Sequence, residues 1–257
     1  MRTVTVFLSI ASFAFGAVVG SFLNVCIHRI PRGESIVRPR SRCPSCGTAI
    51  PGYDNIPLVS YLVLRARCRS CGAPISAIYP AVELLTAVLS LVLFRKFGLS
   101  LPFLASFAFC CALVAVSFID LEHRIIPDVV SLPGIPLFAL CGVGIMGLTL
   151  LDSLIGIVLG GGVLYLVATG YELLKKQEGM GGGDIKLLAM IGGFLGWKSL
   201  LFVLLVSSLL GAFVGIAAMV YRKGNLQDAV PFGPFLSVAA VLHIFYGEAF
   251  VRFFIVR

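Results

Sequence analysis

Eight apolar stretches recur along this 257-residue chain, each near the ~20 residues that cross a bilayer as a helix, and charge seldom breaks them. They run at roughly 4–26, 78–95, 102–119, 129–148, 152–174, 184–197, 199–221 and 232–255. Hydrophobic residues are 59% of the chain and charged residues only 12%, where a soluble domain carries about a quarter charged. The chain therefore reads as an all-α polytopic membrane protein with about eight transmembrane helices, the sixth being short, opened by a charge, and half-sunk or packed among other helices. The stretches are apolar nearly all round, as helices facing lipid or buried in a bundle should be. The first resembles a signal peptide only superficially. It continues to Cys26, and Gly20 to Asn24 is a poor cleavage site, so it reads as a retained span.

The one long polar segment, 28–76, follows the first span and carries Arg29, Arg32, Arg38, Arg40, Arg42, Arg65, Arg67 and Arg69 against Glu34 and Asp54. The positive-inside rule puts it in the cytoplasm. The net charge of +8 thus reflects topology, and no nucleic-acid partner is expected. Alternating spans place both termini outside and bring the loops 120–128, 171–183 and 222–231 inside. Those loops add Arg124, Lys175, Lys176, Arg222 and Lys223. The expected organisation is a first span (1–27), an inserted cytoplasmic module (28–76) and a membrane core (77–257). Gly156 with Gly160, Gly161 and Gly162 would let another helix approach the fifth span closely.

Within the module, Cys43-Pro44-Ser45-Cys46 is followed by Cys68-Arg69-Ser70-Cys71. Paired CxxC knuckles at this spacing fit a tetrahedral four-cysteine zinc site. Gly47 and Gly72 follow the knuckles and suit a tight turn, and the flanking arginines would favour thiolate over thiol. Two disulfides are disfavoured in a reducing cytoplasm, and a redox CxxC lacks its usual context. Four thiolates leave no open position, so the metal would be structural, stapling a segment too small to hold a core by itself.

Two carboxylates stand at the ends of apolar stretches: Asp120 closes one, and Asp184 opens another directly after Gly181-Gly182-Gly183. An ionisable group there is a functional-site hypothesis by default. If they face each other, one protonated and one ionised, they are the equipment of an aspartic protease. The simpler roles are a span end for Asp120 and a helix N-cap for Asp184 and Asp128. Gly179-Met180-Gly181-Gly182-Gly183 suits a backbone that must approach an extended peptide closely, and it lacks the GK[ST] ending of a P-loop. Lys186 is placed to hold a neighbouring carboxylate ionised. There is no HExxH, and His28, His123 and His243 are scattered. A serine-protease partner is not evident. A proton-coupled transporter or assembly scaffold stays open at this point, although a relay wants an acid near the midplane.

Six motifs in order resemble those of the type IV prepilin peptidases, GxGD aspartic membrane peptidases of bacteria. They are Gly20-Ser21-Phe22-Leu23-Asn24-Val25 with His28-Arg29; Cys43 to Cys71; Tyr79-Pro80 with Glu83; Asp120 with Ile126-Pro127-Asp128; Gly181-Gly182-Gly183-Asp184 with Lys186; and Pro231-Phe232-Gly233-Pro234-Phe235. The resemblance implies that Asp120 and Asp184 are the catalytic pair. It implies leader cleavage of type IV prepilins or type II secretion pseudopilins at the cytoplasmic face of the inner membrane. N-methylation of the new terminus with S-adenosylmethionine (SAM) would follow. No Gly-rich dinucleotide-type motif marks a site for that donor, and the module at 28–76 is its expected region.

Overall fold

The computed structural model describes residues 2–175, 181–222 and 231–254; Lys176, Gly179, Met180 and Lys223 lie outside the described residues. Nearly all of it is helical, and the described residues form no sheet, only two isolated bridges inside the polar segment. Each apolar stretch is a helix. In chain order the helices are α1 (Arg2–Arg29), the short α2 (Val59–Val63), α3 (Ile78–Phe97), α4 (Leu101–His123), α5 (Asp128–Gly144), α6 (Leu150–Lys175), α7 (Gly182–Leu195), α8 (Trp197–Arg222) and α9 (Gly233–Phe254).

The eight expected stretches differ in how far they reach. Among the described residues, six helices are long and apolar enough, by length and composition, to cross a membrane. The other two are short: α5 has 17 residues and α7 has 14. At 1.5 Å per residue, 14 residues reach only about 21 Å, short of a ~30 Å hydrocarbon layer. Gly196, at φ 80°, ends α7 in a conformation that favours glycine, while α5 runs through Pro133 and Pro136 to Gly144.

The chain packs as two compact units, Met1–Ala115 and Val116–Arg257. In the first, α1 and α3 lie against each other. Gly16 sits against Ala87 and Ser90, and Gly20 against Glu83, at distances where any added side chain would collide. The close approach is tied by Ser12 and Ser90, whose hydroxyls are 2.9 Å apart and each donate to the other's backbone carbonyl. Asn24 adds a hydrogen bond from Nδ2 to the Tyr79 carbonyl at 3.0 Å.

In the second unit α7 is central, packed by α5, α6, α8 and α9. Its Leu187, Leu188, Met190, Ile191 and Phe194 are fully buried. The glycines of α6 do what their spacing implied. Gly156 meets Gly192 backbone to backbone, and Gly160 meets the Leu188 carbonyl. Gly162 faces open space. Ser153, one turn before Gly156, donates to the Gly193 carbonyl at 2.8 Å. On the other side α5 offers Gly134 to Met190 and Gly142 to the carbonyls of Gly193 and Phe194. Small residues and hydroxyls thus bring three helices together where no hydrophobic drive separates protein from lipid. α6 begins on a reciprocal cap: Thr149 Oγ1 accepts from the Asp152 N–H and donates to Asp152 Oδ2.

A Gly156→Val chain should lose about 1–3 kcal/mol of stability through overpacking against α7, whereas Gly162→Ala, on the same helix, should match or exceed the wild type. Unfolding followed in detergent by circular dichroism measures both.

Candidate active site and metal centre

Asp120 lies in the last turn of α4, not beyond it, and only 6% of it is exposed. Its Oδ2 accepts the backbone N–H of Gly233 at 3.1 Å. Gly233 is the first residue of α9, so this carboxylate caps a helix N-terminus, where free N–H groups and the helix dipole favour negative charge. The fit depends on the missing side chain: a Cβ on Gly233 would lie 2.7 Å from Asp120 Oδ2.

Asp184 occupies the first turn of α7. It is not the N-cap; Gly181 holds that position, and the Asp184 N–H bonds the Gly181 carbonyl at 3.2 Å. Asp184 Oδ1 is buried and has no hydrogen-bond donor among the described residues. The Asp120 carboxyl acts on Asp184 electrostatically. The two acids that the sequence singled out are therefore within electrostatic reach of each other, at the end of α4 and the start of α7.

A turn that the sequence did not advertise holds the arrangement. After His123, Arg124 adopts φ 56° and its N–H closes on the Asp120 carbonyl at 2.8 Å, ending α4 and turning the chain back. Ile126 then lies between the two glycine motifs: its side chain sits 2.7 Å from where a Cβ of Gly183 would stand and 3.2 Å from one on Gly233. Gly181 and Gly182 meet nothing within 4 Å and are exposed. Among the described residues, Gly183 alone of the three consecutive glycines is required by internal packing, and the other two present exposed backbone beside Asp184. The signal for Ile126 was present in the Ile126-Pro127-Asp128 ending, but its role depends on neighbours far off in sequence.

Two expected roles need correction. Asp128 is not an N-cap, since Pro127 holds that position. It pairs instead with Lys186 at 2.6 Å, tying the start of α5 to α7. The carboxylate that Lys186 serves is therefore Asp128, not Asp184. This exposed pair is worth little as stability, of the order of 0–1 kcal/mol, and its effect is on the register of the two helix starts.

In the first unit, Cys43, Cys46, Cys68 and Cys71 gather so that their four sulfurs lie within 4.8 Å of one another. Each knuckle is the same small hairpin. Cys43 and Cys68 donate to the carbonyls of Thr48 and Ala73, and the N–H groups of Gly47 and Gly72 return to Cys43 and Cys68, all at 2.8–2.9 Å. Both glycines sit at φ 71°, as the expected tight turn requires. Cys43 Sγ and Cys71 Sγ are 3.8 Å apart, far beyond a disulfide. It is the edge, about 3.8 Å, of a tetrahedron of sulfurs around a cation at ~2.3 Å.

The thiols are tuned by the turns and not by the arginines. The N–H groups of Cys46 and Ser45 lower the Cys43 thiol, those of Cys71 and Ser70 lower Cys68, and the contact with Thr48 lowers Cys46. The Ala73 N–H pulls Cys71 down too, but burial and the sulfurs of Cys46, Cys68 and Cys43 outweigh it, and this thiol is pushed up to about 11. A divalent cation reverses such mutual repulsion. Arg69, within the second knuckle, instead forks onto Asp54 at 2.6 and 2.7 Å and lies over the Tyr53 ring. It holds the Asp54 carboxyl below the usual range.

The Bacterial Peptidase A24 N-terminal domain family matches residues 14–97, and the Type IV leader peptidase family matches residues 107–216. Among curated proteins, the prepilin leader peptidase/N-methyltransferase of Aeromonas hydrophila is 41% identical, over 95% of this chain and 92% of its own length. Proteins of that name from Burkholderia pseudomallei (strain 1026b) and Pseudomonas aeruginosa are each 36% identical, over 93% and 95% of this chain and 85% and 92% of their own lengths. No solved structure matches.

Purified without chelator, the protein should carry one metal ion per chain by elemental analysis, and Cys43→Ser or Cys68→Ser should each lose it.

Proposed function

The chain belongs to the type IV leader peptidase family and is a prepilin peptidase with N-methyltransferase activity; we propose that Asp120 and Asp184 carry out the cleavage. The observation that supports this most directly is that Ile126 packs against both Gly183, next to Asp184, and Gly233, whose N–H bonds Asp120, at the point where α4 ends and α7 and α9 begin. The substrates are type IV prepilins or type II secretion pseudopilins, and the enzyme works in the bacterial inner membrane with its site at the cytoplasmic face. We assign 77–257 to the peptidase core and 28–76 to a module held by a structural zinc ion on Cys43, Cys46, Cys68 and Cys71. SAM is the methyl donor.

Two carboxylates sharing one site cannot both ionise cheaply, so in this reading the pair holds one proton and titrates as a unit. The ionised member takes a proton from a water molecule, which attacks the scissile carbonyl carbon. The protonated member donates to the carbonyl oxygen, and the leaving amine takes a proton as the C–N bond breaks. The N–H of Gly233 on Asp120 Oδ2 fixes the orientation of that carboxyl. The prepilin helix enters from lipid, and its extended cleavage segment lies along the bare backbone of Gly181 and Gly182, beside Asp184.

Asp120→Asn and Asp184→Asn should each lower leader cleavage by about a thousandfold or more while the protein still inserts and keeps its metal. Mass spectrometry of co-expressed prepilin reads this, and full cleavage by either variant would remove the dyad. Glycine substitutions should divide by kinetic parameter. Gly233→Ala, whose methyl group crowds Asp120, should chiefly lower kcat. Gly182→Ala, which meets no protein atom, should keep the wild-type Tm and raise KM.

A further inference from the structure

Between the two cysteine knuckles, α2 turns an apolar surface outward in an otherwise basic segment. Val59, Leu62 and Val63, three of its five residues, are 52%, 75% and 68% exposed. Tyr53 and Ile56, just before it, are exposed too. One exposed aliphatic side chain is ordinary, but several on one short element mark a surface with a partner. The same stretch lies against the membrane helices. Asn55 and Pro57 share a cleft of about 260 Å³ with Val18, Ser21, Phe22 and Val25 of α1. At 1.5 Å per residue those α1 positions stand about 6–17 Å before its end at Arg29, inside its apolar stretch. The Leu58 N–H donates to Glu83 Oε2 at 2.8 Å, and the Cα of Glu83, in the second turn of α3, stands 2.7 Å from where a Cβ of Gly20 would be.

We propose that α2 and the chain leading into it lie in the interfacial layer of the bilayer, with Val59, Leu62 and Val63 against acyl chains and both knuckles in water. Lipid is the occupant because the patch continues a lipid-facing surface. Val18 and Phe22, which line the shared cleft, are themselves 60% and 50% exposed on a helix long and apolar enough to cross the membrane. The charges agree. Arg65 and Arg67 are exposed directly after α2 and take part in none of the ion pairs formed by the described residues. An arginine stem runs along apolar surface while its guanidinium reaches the headgroup phosphates. The chain then turns away at once, with Arg65 and Ala66 at φ 50° and 58°, and returns to the second knuckle at Cys68.

The backbone suits that layer. Away from bulk water each N–H needs a partner within the protein, and from Ile56 to Ser60 every one has it. The Ile56 N–H donates to Ser60 Oγ at 3.0 Å, that of Leu58 to Glu83, that of Val59 to the Pro57 carbonyl at 2.7 Å, and that of Ser60 to the Ile56 carbonyl at 3.0 Å. Pro57 has no N–H to satisfy. Ser60 is buried, and its Oγ donates in turn to the Tyr53 carbonyl at 3.1 Å. In a loop surrounded by water, solvent would meet these needs. Glu83, a buried carboxylate of α3, thereby ties the start of α2 to a membrane helix. The polar segment is then two things: a pair of knuckles in water, and a membrane-contact element between them that holds them at the bilayer surface.

The test uses the full-length protein in nanodiscs of phosphatidylethanolamine and phosphatidylglycerol, read by tryptophan fluorescence. The wild type has a single tryptophan, Trp197, which supplies the background. Leu62→Trp and Val63→Trp, both at exposed positions, should keep the wild-type metal content. Each added signal should be quenched at least about twofold by phospholipid brominated in the upper acyl chain, at the depth of about 5–10 Å where interfacial elements sit. Lipid brominated near the chain ends should quench it less. Aqueous acrylamide should quench it less than it quenches the signal of Ser45→Trp, at the exposed tip of the first knuckle. Acrylamide quenching equal to that of Ser45→Trp in both variants overturns the proposal. Stronger quenching by the deep label than by the shallow one overturns the interfacial depth. A tryptophan shielded from acrylamide and from both lipids overturns the lipid contact in favour of a second copy of the chain over the patch.

Discussion

The contact of two backbones at Gly156 and Gly192 is the constraint on which the second unit turns. It draws α6 onto α7 so closely that no side chain fits between, and the same helix receives Gly134 and Gly142 of α5 on another side. With α7 gripped this way, its depth and rotation are set by backbone atoms and not by adaptable side chains. Asp184 stands in the first turn of a helix that cannot slide without breaking these contacts. The role proposed for Asp184 asks for supports that hold a carboxyl to within a fraction of an ångström, and here the supports are glycines.

Much of this could be read from the sequence, for definite reasons. Transfer of apolar side chains to lipid leaves a periodic record, so every stretch became a helix. Thiolate coordination demands a fixed spacing, so the four cysteines met as expected. Gly47 and Gly72 had to follow their knuckles because the turn needs positive φ. What failed was what depends on tertiary neighbours. Hydropathy says where a helix is and little about how far it reaches, so the stretch expected to run to 148 ends as α5 at Gly144. Asp128 looked like a cap because caps are local, while its partner Lys186 is 58 residues away. The arginines beside the knuckles looked like thiolate stabilisers because charge is visible in a sequence and the direction of an N–H is not.

The glycines show the same division. Gly181, Gly182 and Gly183 are indistinguishable as letters, yet only Gly183 is pressed, by Ile126, while the other two face open space. Across the unit, glycines that meet backbone (Gly142, Gly156, Gly160, Gly192) fix helix spacing, and one that meets a carboxylate (Gly233) fixes an acid. Chemistry separates these roles only once the neighbour is known.

Placing the acids at helix ends also suits the proposed hydrolysis next to lipid, which makes two opposed demands. The reaction needs water, but a pair of carboxyls that must share one proton needs an environment that water does not fully screen. A site at mid-span would lack the first, and an exposed loop would lack the second. Asp120, nearly buried but bonded to the N–H of Gly233, obtains its polar support from the start of a helix. Asp184, buried at Oδ1 yet adjoining the exposed Gly181 and Gly182, keeps a side from which substrate and water can arrive. The end of α4 and the starts of α7 and α9 give both conditions at once.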